Sequence, residues 1–192
     1  MKFFYFLFFL LISCSLVSQN KWNVGVNLSA VAFRGQGSVK VKERVNIQFP
    51  SIQVSRKLGK NIFADFIYTV DILGFSQSAN SFNYASFDAY LRYNLSEIFL
   101  NIVPFGGVGF GYIQGATSIP NSEGSLSLNI MGGGTLWVSK SFGLTGRLIY
   151  KHVSSDSESM APHIQAIGGI VYRFDLNSFF SERRSHIWNM KH

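Results

Sequence analysis

The stretch Phe142-Gly143-Leu144-Thr145-Gly146-Arg147-Leu148-Ile149-Tyr150-Lys151 decides the fold. Phe142, Leu144, Gly146, Leu148 and Tyr150 form one row, and Thr145, Arg147, Ile149 and Lys151 form the other, the period of two that puts alternate side chains on opposite faces of a β-strand. Three further stretches repeat the pattern. Ile164, Ala166, Gly168, Ile170, Tyr172 and Phe174 oppose His163, Gln165, Gly169 and Arg173; Ala85, Phe87, Ala89, Leu91 and Tyr93 oppose Ser86, Asp88, Tyr90 and Arg92; Ala64, Phe66, Tyr68 and Val70 oppose Asp65, Thr69 and Asp71. An apolar row beside a charged one fits a barrel that turns the apolar row to lipid and the polar row to its lumen. A soluble ligand-binding barrel of the lipocalin kind would turn the same rows inside out, but they offer few charges to water.

Working outward from these strands, eight period-two segments stand between turn-rich ones, at roughly 22–33, 45–56, 62–71, 84–93, 98–113, 126–138, 142–152 and 162–174. The connections run to about 11, 5, 12, 4, 12, 3 and 9 residues, so long and short alternate, as they do in outer-membrane barrels. The long ones are polar and rich in Gly, Ser and Asn, as in Ser76-Gln77-Ser78-Ala79-Asn80 and Pro120-Asn121-Ser122-Glu123-Gly124. These observations predict an all-β chain, an eight-stranded antiparallel up-and-down transmembrane β-barrel over residues 19–174. Both ends fall on the short-turn, periplasmic side, and the long connections form surface loops.

Composition agrees. The chain has 192 residues, room for one domain; 47% are hydrophobic and only 14% charged, with 18 Gly, 19 Phe and 8 Tyr. No segment after residue 20 approaches the roughly 20 apolar residues of a spanning helix. The net charge of +7 is spread singly along the chain, with no Lys/Arg stripe, so nucleic acid is not an expected partner. The one cysteine, Cys14, leaves no disulfide or thiolate metal site in the mature part, and no metal or cofactor is expected.

Residues 1–18 read as a secretory signal peptide: Met1 and Lys2, the apolar run Phe3 to Ile12, then Ser13, Ser15 and Ser18, with Ser18-Gln19 as the cut. Two other readings stand beside it. A membrane-anchoring helix would need a longer run, while Leu11-Ile12-Ser13-Cys14 resembles a bacterial lipobox, in which Cys14 would be lipidated. Each exports the chain.

Outward aromatics gather near strand ends, Trp22, Tyr93, Phe142, Tyr172 and Phe174 toward the short turns and Tyr68, Tyr112 and Tyr150 toward the long loops, which sketches two interfacial girdles. Trp137 falls on the inward row, so it either fills the lumen or marks a register off by one. Pro50 and Pro104 sit inside expected strands and read as bulges; around Pro50 the apolar phase slips from Ile47 and Phe49 to Ile52 and Val54. Gly106-Gly107-Val108-Gly109-Phe110-Gly111 fits no G-x-G-x-x-G frame and precedes no helix pattern; its small residues help a narrow barrel close.

The pattern resembles the small eight-stranded outer-membrane barrels of the OmpA type over roughly residues 20–174. Two stretches carry the resemblance. Pro104-Phe105-Gly106-Gly107-Val108-Gly109-Phe110-Gly111-Tyr112 looks like that family's Pro-aromatic-glycine strand, and Gly169-Ile170-Val171-Tyr172-Arg173-Phe174 looks like its closing assembly signal. The resemblance implies an outer-membrane location in a Gram-negative bacterium, outer-membrane lipid as surroundings, a monomer, and the barrel-insertion machinery as transient partner, reading Gly169, Tyr172 and Phe174. Ile167 departs from the polar residue preferred there, and the tail 175–192 continues past the signal. Leu176, Phe179, Phe180 and Ile187 with Arg183 and Arg184 would suit a short amphipathic helix, or the tail is disordered.

Inward phase collects Asp65, Asp88, Arg92, Arg147, Lys151 and Arg173, a mix of signs expected to pair across the lumen and plug it, with Asp88 opposite Arg147. The function expected is structural or surface-interactive. One alternative carries chemistry: Tyr150-Lys151-His152-Val153-Ser154 resembles the His-x-Ser segment of outer-membrane lipid A deacylases, implying Ser154 as nucleophile and His152 as its base. Where that family carries an acid on its last strand this chain has Ile164 and Ala166 outward and Gln165 and His163 inward, while Glu158 sits in the loop, so the orienting acid is missing or displaced.

Overall fold

The computed structural model describes residues 21–33, 45–72, 84–98, 101–114, 124–153 and 162–175. Eight strands follow in chain order: β1 (Lys21–Phe33), β2 (Val45–Lys57), β3 (Ile62–Thr69), β4 (Ala85–Asn94), β5 (Ile102–Gln114), β6 (Ser125–Trp137), β7 (Phe142–Val153) and β8 (His163–Asp175). Each pairs antiparallel with the next, and β8 pairs back with β1 from Lys21↔Asp175 to Phe33↔His163, closing the barrel without a free edge. Among the described residues the barrel strands run from Lys21 to Asp175.

Burial alternates as the sequence rows do. On β7 the odd residues Gly143 to Val153 are buried and the even ones Phe142 to His152 exposed. Most of what is buried is polar: Asn23, Asn27, Ser29, Gln48, Ser51, Gln53, Ser55 and Thr69 lie inside, while Leu126, Leu128, Ile130, Phe110 and Leu148 lie exposed outside. This inverts the order of a water-soluble protein and matches a wall that faces hydrocarbon.

Two sequence expectations are corrected here. Strand five begins at Ile102, not 98, because Asn101 turns the chain at φ 59° and the Ile98 amide bonds the Ile102 carbonyl at 3.1 Å. Pro104 makes no bulge: β5 keeps continuous register with β4 and β6. Its carbonyl accepts from the Leu95 amide at 2.8 Å, beyond the last β4 pair Asn94↔Phe105, so the missing N–H falls where the β4–β5 ladder has already ended. At Pro50 the slip is present. Register with β1 jumps from Asn27↔Ser51 to Ser29↔Gln48, one extra residue on β2, at the Phe49-Pro50 cis peptide.

The glycine run of β5 has a specific use. Gly107, Gly109 and Gly111 stand directly opposite Arg92, Tyr90 and Asp88 of β4, whose side chains fill the lumen above them. A Cβ on Gly109 would strike the Ala89 carbonyl oxygen and the Tyr90 ring, and one on Gly111 the Asp88 carboxylate. Gly133 serves Arg147 in the same way, and Gly143 lies under the Trp137 ring. Trp137 thus faces inward with Arg173, whose guanidinium carbon sits 3.5 Å from the ring centroid. The register is correct, and the ring is a lumen residue.

Candidate functional site

The lumen brings together most of the side chains singled out above. Asp65, Asp88 and Lys151 are fully buried, Arg92 and Arg147 nearly so, and Arg173 lies partly exposed at the short-turn mouth. They fall into two clusters. Between them lies an apolar belt of Ile67, Tyr90, Met131, Ile149 and Ile167, joined to Phe105. Ile167, odd as an assembly-signal residue, is explained by its place in this belt, 3% exposed.

In the long-loop cluster the Lys151 ammonium lies 2.7 Å from Asp88 Oδ2 and donates to Tyr84 OH and Ser86 Oγ, each at 3.0 Å. Ser86 Oγ also donates to Asp88 Oδ2 at 2.9 Å, and Asn129 Nδ2 donates to Asp88 Oδ1 at 2.9 Å. All three ammonium donors and both carboxylate oxygens are thereby used, the condition under which a buried pair is stable. Tyr84 OH also lies 3.0 Å from His163 Nε2.

In the short-turn cluster one carboxylate serves two guanidiniums. Arg92 Nε is 2.8 Å from Asp65 Oδ2, an ionic contact without hydrogen-bond alignment, and Arg147 Nη1 is 3.6 Å from the same oxygen. Arg147 Nη2 donates to Gln53 Oε1. The two guanidiniums pack on the Phe105 ring, 4.8 Å and 5.3 Å from its centroid, and Arg92 also covers Phe63 at 4.8 Å.

The expected Asp88–Arg147 pair does not form. Counting inward from the strand ends put the two at one level, but the ladder is staggered: Tyr90 aligns with Gly109, Asn129 and Lys151, whereas Arg147 aligns with Gly133, Phe105 and Asn94. Lys151 is thus two residues from Asp88 along the row, and Arg147 six. Tyr84, Gln53, Asn129 and His163 were not singled out as site residues, being none of Asp, Glu, Lys or Arg. Parity finds Tyr84, in phase with Ser86 and Asp88, and also Gln53, between the outward Ile52 and Val54 beyond the slip at Pro50.

Gly169 faces the lumen, where a Cβ would run into the Val26 carbonyl and Asn27, so β8 closes tightly on β1. Tyr172 and Phe174 face outward, Tyr172 packing 4.8 Å from Phe142 and 6.1 Å from Phe174 between ring centroids. His152 is exposed on the outer wall beside Leu128. Ser154 and Glu158 lie outside the described residues, as do the leader with Cys14, the loop tips and residues 176–192. Among the described residues no Asp or Glu stands on the outward row near His152, and no group of His, Cys, Asp or Glu could hold a metal.

No protein-family model matches the chain, and no curated protein matches it in sequence. Solved structures do match in shape. Neisserial surface protein A superposes with a TM-score of 0.56 at 13% identity, over 82% of this chain and 97% of that one. The N-terminal β-barrel domain of Pseudomonas aeruginosa OprF gives 0.54 at 12% identity, over 81% and 98%. Ail, the attachment invasion locus protein of Yersinia pestis, gives 0.50 at 19% identity, over 81% and 97%. The chain has the fold of the small eight-stranded barrels of the Gram-negative outer membrane, the OmpA type. The resemblance to lipid A deacylases finds no support in these structures or in the surroundings of His152.

Proposed function

We propose that this protein is an integral outer-membrane barrel with a structural or surface-interaction role, its lumen plugged by its own side chains and its long connections turned to the outside of the cell. The observation that carries the reading is the burial of Asp65, Asp88, Arg92, Arg147 and Lys151 across the lumen, each at 4% exposure or less, beneath a wall whose outward row is apolar. Side chains that fill a barrel of this size leave no aqueous channel for transport. Both carboxylates are committed to cations, so neither is placed to act as an acid or base on a substrate.

Topology is tested with single cysteines and an impermeant thiol reagent on intact cells. Ser78→Cys and Ser122→Cys are expected to label, and Lys60→Cys and Ser139→Cys to stay protected until the outer membrane is opened. Labelling of the second pair alone would invert the barrel and end the surface-interaction reading.

The barrel-insertion machinery is the proposed transient partner, reading the outward aromatics of β8. Truncation after Asp175 should preserve assembly, since the described ladder with β1 already runs the full length of β8, from His163 to Asp175. Phe174→Ala with the tail intact should lower the amount of folded protein in the membrane several-fold, read by heat-modifiable migration on a gel. The opposite result would make the tail, and not β8, the element that is recognised.

A further inference from the structure

Among the described residues the outward row of the eight strands carries one Asp, Glu, Lys or Arg side chain, Arg56. Its neighbours on that face are apolar: Val54 before it, Leu58 after it, and across the ladder Trp22 on β1 and Ala64 on β3. It shares the phase of Ile52 and Val54 beyond the slip at Pro50. A guanidinium on the lipid face is unfavourable at the middle of a bilayer and tolerable only near its edge. Arg56 stands at that edge, one residue before the end of β2 and next to the short turn with Gly59 and Lys60.

The geometry points to Arg56 as a seat for the phosphate of an anionic phospholipid in the periplasmic leaflet, an inference that rests on the membrane reading above. Three observations converge. First, the guanidinium carbon lies 5.3 Å from the centroid of the Trp22 ring, so an interfacial aromatic holds the group from one side. Second, Ala64, on the opposite side, has no bulk to cover it, while Leu91 and Phe174 continue the row beyond Ala64 and Trp22. Third, Arg56 has no carboxylate partner among the described residues, and its Nε, though covered, meets no protein acceptor. A planar guanidinium held beside a ring at headgroup depth matches a phosphodiester, which accepts two parallel N–H bonds. Exposed Lys60 on the adjoining turn adds charge of the same sign and favours an anionic over a zwitterionic headgroup.

The test is native mass spectrometry of the full barrel released from micelles containing equal phosphatidylglycerol and phosphatidylcholine, with folding checked by gel migration. Wild type is expected to retain phosphatidylglycerol preferentially, and Arg56→Gln to lower that retention about fivefold, the share of one interfacial cation. Arg56→Lys, which keeps the charge and loses the fork, should fall between them. Lys140→Gln removes a charge from the exposed turn between β6 and β7, on another part of the same rim, and should change nothing. Added inorganic phosphate should not displace the lipid. Equal retention in wild type and Arg56→Gln, or an equal loss in Lys140→Gln, would overturn the site. A wild-type protein that neither floats with liposomes nor retains any lipid would overturn the membrane reading and the site with it; flotation without the Arg56 dependence overturns the site alone.

Discussion

Replacing Asp65 by Asn is expected to destabilise the barrel by about 3–5 kcal/mol, whereas Arg147→Met should cost less than half of that. The asymmetry follows from stoichiometry. Asp65, fully buried, is the one carboxylate paired with both Arg92 and Arg147, so its loss leaves two desolvated cations facing each other over the Phe105 ring. Removing Arg147 leaves a one-to-one pair with the closer partner, Arg92 at 2.8 Å, and frees only the Gln53 amide oxygen it had bonded. Urea unfolding of both variants refolded into lipid vesicles checks this. Equal costs would mean that Arg147, not the charge balance at Asp65, holds the short-turn half of the lumen together.

The contrast also marks what could be read in advance. Parity in a two-residue repeat is local, and it locates the faces: Asp65, Asp88, Arg92, Arg147 and Lys151 face inward by parity and are buried there, and Arg173 faces inward with Trp137. Strand ends came within about two residues wherever Gly, Asn or Ser bounded the run. The start of β5 was misplaced because Ile98 has the apolar character of a strand, while the turn depends on a single positive φ at Asn101 that no period reveals. Pairing inside the lumen was illegible for a different reason. It depends on the stagger between strands, a property of several registers together, so that counting inward from strand ends puts Asp88 opposite Arg147 although the ladder sets them six residues apart along the row. The inserted residue at Pro50 exchanges the two faces of everything after it, and once it is counted Arg56 falls on the outer row with Ile52 and Val54; its seat beside Trp22 depends instead on the β1–β2 register, which parity does not show.

The glycines give the last expected result, because one substitution should act with opposite sign on the two faces of the wall. Gly109→Ala is expected to destabilise by about 3 kcal/mol or more, at or above the top of the usual range for overpacking. The new methyl would meet the Ala89 carbonyl oxygen, 2.6 Å from the Tyr90 ring and 2.9 Å from its Cα. The first obstacle is backbone of a hydrogen-bonded neighbour, which cannot rotate aside as a long side chain would, and Tyr90 is itself fixed in the apolar belt. Relief would need β4 and β5 to part. Gly146→Ala, on the outward row of β7, places its methyl where no atom lies within 4 Å. There the substitution removes the backbone entropy that glycine loses on folding and adds apolar surface toward lipid, so it should stabilise by about 0.5–1 kcal/mol. Vesicle-refolded variants compared by urea titration would separate the two. If Gly109→Ala folds as well as wild type, the close approach of β4 to β5 is not what seats Asp88, Tyr90 and Arg92. If Gly146→Ala destabilises instead, its face of β7 is packed against something other than lipid chains, and the outward wall between β6 and β8 would be a protein contact surface.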